Sequence, residues 1–270
     1  MLFRSTGRTA KVAVLVDGTD SNSASIAQGY LAASLQAYSV RLLQQKAAGL
    51  GRVSLPMPID LRTRVWYNPE LRTANFMVPA VIVMILMLTT TMLTSLSIVK
   101  ERERGTLEQL MVTVVKPWEL MVGKLLPFPF IGLLEVLLVT ALGVIWFGVP
   151  VQGSLGLLFA LSALFILTTL GLGLLISTLC QTQQQAMMVA MFIMIPNILL
   201  SGFIFPIANM PPAIQLFSYI IPGRYFVEIV RGIFLKGAGL GVLWPQASAM
   251  AVFGLVLLTV SSLRFRKRAA

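Results

Sequence analysis

Charged residues, histidine and cysteine are all scarce in this sequence of 270 residues. Lysine, arginine, aspartate and glutamate make up 11% of the chain, against about a quarter in an average soluble domain. There is no histidine and one cysteine, Cys180, which excludes a disulfide framework and a His/Cys metal cluster. The phosphate-binding motif G-x-x-x-x-G-K-[ST] is absent as well. The composition therefore excludes a soluble domain, and the missing motif excludes ATP binding by this chain.

Long apolar runs account for most of the sequence, which is 57% hydrophobic. A helix that crosses the hydrocarbon core of a bilayer needs about 20 apolar residues, and five stretches reach that length. A sixth apolar segment, 213–235, is interrupted by Pro222 and by charges, so it predicts two short re-entrant helices rather than a span. We expect an integral membrane all-α bundle. The predicted spans are 77–99, 125–148, 154–179, 186–205 and 242–263.

Lysine and arginine cluster beside the predicted spans and set the expected orientation. The loop 100–124 and the tail 264–268 are both basic, and such segments stay in the cytoplasm. The segment 206–241 then faces outside. The formal net charge of +11 does not indicate nucleic acid, because no nucleic-acid-binding module accompanies it. Instead, we expect the tail to contact anionic membrane lipids.

Residues 1–76 predict a small α/β domain. "AKVAVLVDGTD" reads as a buried strand, 12–16, ended by an Asp-Gly turn, a helical pattern covers 23–48, and "IDLRTRVWY" alternates as a second strand. The acids of "DGTDSN" are interpreted as turn and helix-cap residues, since they do not fit the calcium-loop pattern. The orientation places this domain outside although no span precedes it. We therefore expect a partial external domain from a chain lacking its N-terminal span. The alternative, a cytoplasmic domain, puts both basic clusters outside.

The sequence "VKERERGTLEQLMV", residues 99–112, begins the predicted cytoplasmic loop. Thr106 and Gln109 have the spacing of a capping box, and Pro117 ends the helical segment. The pattern predicts an amphipathic helix of about ten residues, 106–115. Such a helix either lies on the lipid surface or docks to a partner protein, and the residues alone leave both alternatives open. Its apolar positions are Leu107, Leu110, Met111 and Val114.

Three blocks of sequence, in order, resemble one family. "KERERGTLEQLMVTVVKPWELMVGKLLP" resembles the cytoplasmic loop of ABC-2 type transporter permeases, the membrane subunits of bacterial ATP-driven exporters. "STLCQTQQQAM" and "LSGFIFPIANMPPAIQLFSYIIPGRYFVEIVRGIFLKGAGL" are similar to later segments of the same family. The resemblance extends over residues 64–268. The stretch "VLVDGTDSNSA" also resembles the start of the external domain in the subgroup that carries one after its first span.

The resemblance implies a permease subunit in the bacterial inner membrane that exports its substrate by alternating access. ATP and magnesium would bind a separate ATPase subunit, so this chain would be no enzyme and hold no cofactor. The implied partners are that ATPase, a second permease in a homodimer or heterodimer, membrane lipids and, as a further candidate, a periplasmic adaptor. The implied ATPase-coupling loop comprises Glu101, Arg102, Glu103, Arg104, Gly105, Thr106, Leu107, Glu108, Gln109, Leu110, Met111, Lys116 and Pro117.

Two polar residues within the predicted spans are candidates for the transport path. Glu135 lies about halfway along its span, where a carboxylate costs at least about 2.5–3.5 kcal/mol, so it is expected to face the bundle interior. It either handles substrate or protons or holds helices together. Asn197 follows Pro196, which predicts a bend. Gly171 and Gly173, in contrast, are expected to allow close helix packing rather than nucleotide binding.

Three charged residues of the external segment are candidates for an outer gate. Arg224, Glu228 and Arg231 share one face of a short helix, at spacings that favour local ion pairs. The spacing of the three residues favours a local ion pair. A role as an outer gate is what the resemblance implies.

Three rival functions are an intramembrane enzyme, a secondary transporter and a non-functional fragment. An intramembrane enzyme lacks support because the sequence has no histidine, no H-E-x-x-H and no paired intramembrane acids. A secondary transporter without an ATPase predicts inverted repeats and several intramembrane ionisable groups, whereas the sequence has one such carboxylate. A non-functional truncated fragment of the permease is the third. Drugs, lipids, glycans and peptides are all compatible with this scaffold as substrates, and long apolar spans with one carboxylate favour a hydrophobic, cationic cargo.

Overall fold

The structure is a computed structural model that describes residues 10–47, 59–105 and 123–269. The chain divides into two compact units, Met1–Phe76 and Met77–Ala270, and each is described by itself.

The first unit is a strand, a helix and a second strand in the predicted order, but the prediction that the first strand is buried is wrong, since Leu15 is 63% exposed. β1 (Ala10–Asp17) and β2 (Ile59–Trp66) are parallel, with register running from Ala10 opposite Ile59 to Asp17 opposite Trp66. Parallel strands cannot be joined by a tight turn, because the chain must return to the same end of the sheet. The helix α1 (Ser21–Ala47) lies in this connection.

The acids that follow β1 form a turn and a helix cap. The backbone N–H of Thr19 donates to Asp17 Oδ1 at 2.9 Å. The N–H of Ser23 donates to Asp20 Oδ2 at 3.2 Å, which satisfies a free donor of the first turn of α1. Gly18 is required here, since a Cβ atom would lie 2.8 Å from the carbonyl oxygen of Trp66. The turn interpretation is confirmed, and the described residues contain no group of acids that could hold a metal.

The second unit is entirely helical in its described part. The segment 201–211 contains a short 3-10 helix, Ile207–Asn209. In chain order the helices are α2 (Thr73–Glu103), α3 (Pro127–Ile145), α4 (Leu155–Leu179), α5 (Gln183–Leu200), α6 (Pro212–Ser218), α7 (Pro222–Lys236) and α8 (Leu240–Ala269).

Five of the described helices are long and apolar enough to cross a membrane. They correspond to the five predicted spans, and the sixth apolar segment forms α6 and α7, as predicted. Apolar side chains such as Leu137, Phe192 and Val252 are exposed on α3, α5 and α8, as expected of helices that meet lipid. The candidate spans are Thr73–Glu103, Gly123–Ile145, Leu155–Leu179, Gln183–Leu200 and Leu240–Arg264.

The fourth span begins and ends earlier than the predicted 186–205. Thr182 caps α5, its hydroxyl accepting from the N–H of Gln185 at 3.2 Å, so the polar residues 183–185 form the first turn. The helix ends at Leu200, and Gly202 follows with a φ of +85°, which glycine adopts without steric cost. The apolar residues 201–205 extended the hydropathy pattern without being helical.

The helix α4 lies at the centre of the bundle and packs against α3, α5, α7 and α8. Its two mid-span glycines allow close approach. A Cβ atom at Gly171 would lie 3.0 Å from Leu257 Cβ on α8, and one at Gly173 would lie 2.8 Å from the carbonyl oxygen of Thr91 on α2. The predicted packing role of these glycines is confirmed. Next to them, Thr90 donates to the hydroxyl of Thr169 at 2.7 Å.

Candidate functional site

The charged end of α2 joins three other helices through three consecutive residues. The first of them, Glu101, forms an ion pair with Lys124, which lies in the helical turn just before α3. Both side chains are largely shielded, at 25% and 24% exposure. This pair brings together the two ends of the loop 100–124.

The second residue, Arg102, binds the C-terminal end of α4. Its Nη1 donates to the carbonyl oxygens of Ser177 and Cys180 at 2.7 and 2.8 Å. The last carbonyls of a helix have no intrahelical partner and carry partial negative charge, so a guanidinium is favoured there.

The third residue, Glu103, binds the opposite kind of helix end. Its Oε2 accepts from the backbone N–H of Gln183 at 3.1 Å and from the side-chain Nε2 at 2.8 Å. Gln183 is the first residue of α5, where free N–H groups and the helix dipole favour an anion. Arg102 and Glu103 therefore bind the turn between α4 and α5, a contact that sequence reasoning missed.

Cys180, the C-cap of α4, is buried beneath this contact. Burial raises the pKa of its thiol above the usual range, and the nearby Arg102 guanidinium opposes the shift. A thiol with a raised pKa is a poor nucleophile at neutral pH. The residue is therefore suited to packing rather than to chemistry.

The rest of the predicted coupling loop is described only in part. Arg104 is exposed. Gly105 has a φ of +69° and follows the end of α2, with its N–H donating to the carbonyl of Arg102 at 3.1 Å, which is typical of a helix C-cap. The other predicted members lie outside the described residues: Thr106, Leu107, Glu108, Gln109, Leu110, Met111, Lys116 and Pro117.

Glu135 contacts a threonine of the neighbouring helix α2. Thr89 Oγ1 lies 2.6 Å from Glu135 Oε2 and 2.9 Å from the carbonyl oxygen of Ile85. A hydroxyl has a single proton to donate. If Glu135 is ionised, Thr89 donates to the carboxylate. If the carboxyl is neutral, it can donate to Thr89, which then donates to Ile85. The site therefore accommodates either charge state.

Asn197, the other candidate for the path, is only 2% exposed. Its Nδ2 donates to the carbonyl of Ile193 at 2.9 Å. Its Oδ1 faces the start of α7, where a Cβ atom at Gly223 would lie 3.2 Å away. Among the described residues this oxygen has no hydrogen-bond partner. Asn197 therefore lies where α5 packs against α7. Glu135 lies at a different helix contact, between α2 and α3, so the structure does not bring the two candidates together.

The helix α7 carries the three predicted gate residues on one face. Arg224 Nε lies 3.8 Å from Glu228 Oε1, so the predicted ion pair is present. The Arg224 guanidinium also lies 3.9 Å from the ring centroid of Tyr219 and donates to the carbonyl of Gln215 at 3.3 Å. Burial raises the pKa of the adjacent Tyr225 phenol, while Arg224 lowers it. These contacts hold the end of α6.

Arg231 and Glu228, the other two predicted gate residues, contact segments beyond α6. Arg231 Nη1 donates to the carbonyl of Gly202 at 2.8 Å, and its Nη2 donates to that of Phe203 at 3.1 Å. Glu228 accepts from Gln246 Nε2 on α8 at 3.1 Å. One face of α7 therefore contacts α6, α8 and the chain that follows α5.

Comparison with known proteins identifies the family. Residues 2–263 match the family described as "ABC-2 family transporter protein". The chain is 41% identical over 256 residues to the probable multidrug ABC transporter permease YbhS of Escherichia coli (strain K12), covering 93% of this chain and 67% of that protein. It is 36% identical over 263 residues to the probable multidrug ABC transporter permease YbhR, covering 97% and 70%. It is also 30% identical over 266 residues to the inner membrane transport permease YhhJ, covering 97% and 69%. The last two are also from Escherichia coli (strain K12).

Proposed function

Because this chain belongs to the ABC-2 family of transporter proteins, we propose that a separate ATPase subunit drives it by docking on the loop 100–124. The chain itself is the transmembrane permease subunit of an ABC exporter and a multi-pass protein of the inner membrane. Permease subunits of this family are not themselves enzymes. The family implies an ATPase partner and a second permease subunit.

The observation that supports this docking site is the connectivity at the end of α2. Glu101 pairs with Lys124 before α3, Arg102 binds the end of α4, and Glu103 binds the start of α5. A partner that moves the loop 100–124 therefore acts on a point where the ends of four spans meet. Charged residues on a short segment also suit recognition by another protein at a polar surface.

The proposed mechanism is alternating access. ATP and magnesium bind the ATPase subunits, whose closure moves the predicted helix 106–115 of each permease as a rigid body. The spans then tilt, and the path opens to the outside. In this proposal two copies of the permease form a homodimer, lipids cover the exposed apolar faces, and Arg224, Glu228 and Arg231 hold the outer end closed. A periplasmic adaptor is a further proposed partner.

The proposed cargo is a hydrophobic cation. The relatives YbhS and YbhR are named as probable multidrug permeases. Glu135 supplies a carboxylate within an apolar span, and Thr89 can stabilise that carboxylate in its ionised form by donating a hydrogen bond. A cation that loses its hydration in the membrane gains most from such a group. Asn197 is proposed as a second polar position along the path.

The docking proposal is tested by co-purification from bacterial membranes in detergent. The chain carries an affinity tag, and magnesium-dependent ATP hydrolysis is measured in the eluate. A second bait carries Glu108→Lys and Leu110→Asp in the predicted helix. A matched control carries the same two changes at exposed positions elsewhere, Glu70→Lys and Leu216→Asp.

The proposal predicts ATPase activity with the parent chain and with the control, and its loss with the loop variant. If the loop variant retains the full activity, the ATPase docks elsewhere and the proposed site is wrong. If the parent chain recovers no ATPase, the proposed coupling itself is contradicted.

A further inference from the structure

The turn between α4 and α5 is held by α2 as well as by its own two helices. Arg102 donates to the carbonyls of Ser177 and Cys180 at 2.7 and 2.8 Å. Glu103 accepts from the backbone and side-chain N–H groups of Gln183 at 3.1 and 2.8 Å. We refer to these four hydrogen bonds as the clasp.

The charges of the clasp match the two helix ends that they contact. A cation binds the C-terminal end of α4, and an anion binds the N-terminal end of α5, so both interact favourably with the helix dipoles. Hydrogen bonds to charged groups are also shorter and stronger than those between neutral groups. Because three of the four bonds involve backbone atoms, a side-chain rotation in the turn does not release them. A displacement of the end of α2 can therefore be transmitted through the clasp to the ends of α4 and α5.

We propose that the clasp makes the α4–α5 turn a second drive element of the exporter. Movement of the loop 100–124 passes through Arg102 and Glu103 to α4 and α5. The loop is connected covalently to α2 and α3, and these two residues add a direct polar link from the end of α2 to the next two spans. They are positioning residues for the transport cycle. This inference rests on the proposed function, in which an ATPase moves the loop.

A substitution of Gln183 opens half of the clasp without altering the charged loop. Gln183→Pro removes both the backbone N–H and the side-chain donor that Glu103 accepts from. Proline is tolerated at the first position of a helix, where its missing N–H breaks no intrahelical bond. Thr182, the preceding residue, has φ and ψ of −119° and 152°, the extended conformation that a following proline requires. The Thr182–Gln185 cap of α5 is unaffected.

Movement of individual spans is followed with spin labels. Cys180 is the single cysteine of the chain, so Cys180→Ser gives a background without reactive thiols. Trp146→Cys places a label beyond α3, at a side chain that is 81% exposed, and Phe205→Cys places one beyond α5, at 57% exposure. Label mobility is compared between the nucleotide-free state and the state trapped with magnesium, ATP and vanadate, in the complex with the ATPase.

The clasp predicts that both labels change mobility in the background chain. In the Gln183→Pro chain the label at 146 is expected to respond as before, while the response at 205 falls at least threefold with ATPase co-purification unchanged. Gln183→Ala, which retains the backbone N–H, is expected to give an intermediate response. A purely structural role of the clasp predicts no difference between the two labels.

If the mobility change of the label at 205 is the same in the Gln183→Pro chain as in the background chain, the proposed role of the clasp is wrong. If that variant fails to accumulate in the membrane, Gln183→Glu replaces the side-chain donor with a carboxylate that repels Glu103 and is judged by the same criteria. Failure of the proposed function has a different signature. In that case no ATPase co-purifies with the background chain, or neither label responds although the ATPase is bound.

Discussion

Thr89 on α2 lies 2.6 Å, between Oγ1 and Oε2, from Glu135 on α3. The same hydroxyl lies 2.9 Å from the carbonyl of Ile85. Since it has one proton, its choice of acceptor depends on whether the carboxyl is ionised. The contact thus connects the charge of an intramembrane group to the hydrogen bonding of α2, and a change at Glu135 has two separable effects, on charge and on packing.

Glu135→Gln is expected to lower the export of a cationic dye by about tenfold or more. Hydrogen bonds to charged groups contribute about 1.5–3 kcal/mol, and about 1.4 kcal/mol corresponds to a factor of ten. Glutamine retains an acceptor for Thr89, so the unfolding temperature should change little. ATP-dependent ethidium uptake into inverted membrane vesicles measures the effect, with an uncharged dye of similar size as the control. An equal loss for both dyes would assign Glu135 a structural role instead.

Gly173→Ala is expected to destabilise the bundle. The added Cβ would lie 2.8 Å from the carbonyl oxygen of Thr91 and 2.8 Å from Thr94 Cβ. The first of these is a backbone atom and cannot rotate away. Overpacking of this kind typically costs about 1–3 kcal/mol, which should appear as a lower unfolding temperature in detergent.

The matched control for this change is Gly156→Ala on the same helix. Its Cβ would meet only the hydroxyl of Ser154, at 3.6 Å, and alanine is favoured over glycine in a helix by up to about 1 kcal/mol. Gly156→Ala should therefore be neutral or stabilising. Equal effects of the two substitutions would mean that α2 and α4 do not approach each other at Gly173.

The spans were predictable from sequence because hydropathy alone defines them. Twenty apolar residues in a row have few alternatives to a membrane helix, and the part of the chain that the structure describes has five such helices. The end of α5 was not predictable in the same way. Residues 201–205 are as apolar as a span, and only the cap at Thr182 and the left-handed Gly202 set the bounds of the helix. Hydropathy does not report such local geometry.

The clasp was not predictable because its acceptors and donors are mostly backbone groups. Arg102 and Glu103 stand out in the sequence as charges, but their partners are the carbonyls of Ser177 and Cys180 and the N–H of Gln183. Every residue has such groups, so no residue type signals the contact. A usable signal was present in the order of the charges. An arginine followed by a glutamate matches a helix end followed by a helix start.

Arg231→Met is expected to loosen the chain that follows α5. It removes the two hydrogen bonds to the carbonyls of Gly202 and Phe203 while retaining much of the apolar length of the side chain. Local opening should become at least tenfold more frequent, since even one charge-assisted hydrogen bond contributes about 1.5–3 kcal/mol and about 1.4 kcal/mol corresponds to a factor of ten. Hydrogen exchange of the amides of residues 202–205 measures it. Arg231→Lys keeps the positive charge but lacks the planar guanidinium. Its exchange rates should lie between those of the parent chain and those of Arg231→Met. Unchanged exchange in both variants would show that the arginine does not hold this segment.

Cys180 is expected to resist thiol reagents in the folded chain. The residue is 3% exposed, and burial raises the pKa of its thiol, against the opposing effect of Arg102. A raised pKa means that less thiolate is present at any given pH, and the thiolate is the reactive form. Labelling by a maleimide should therefore be slower than for an exposed cysteine, and its rise with pH should occur at a higher pH. Phe205→Cys in the Cys180→Ser background is the exposed reference. Equal rates and equal pH profiles for the two cysteines in the folded chain would mean that the end of α4 is open to solvent, and full labelling of Cys180 after denaturation confirms that the thiol is intact.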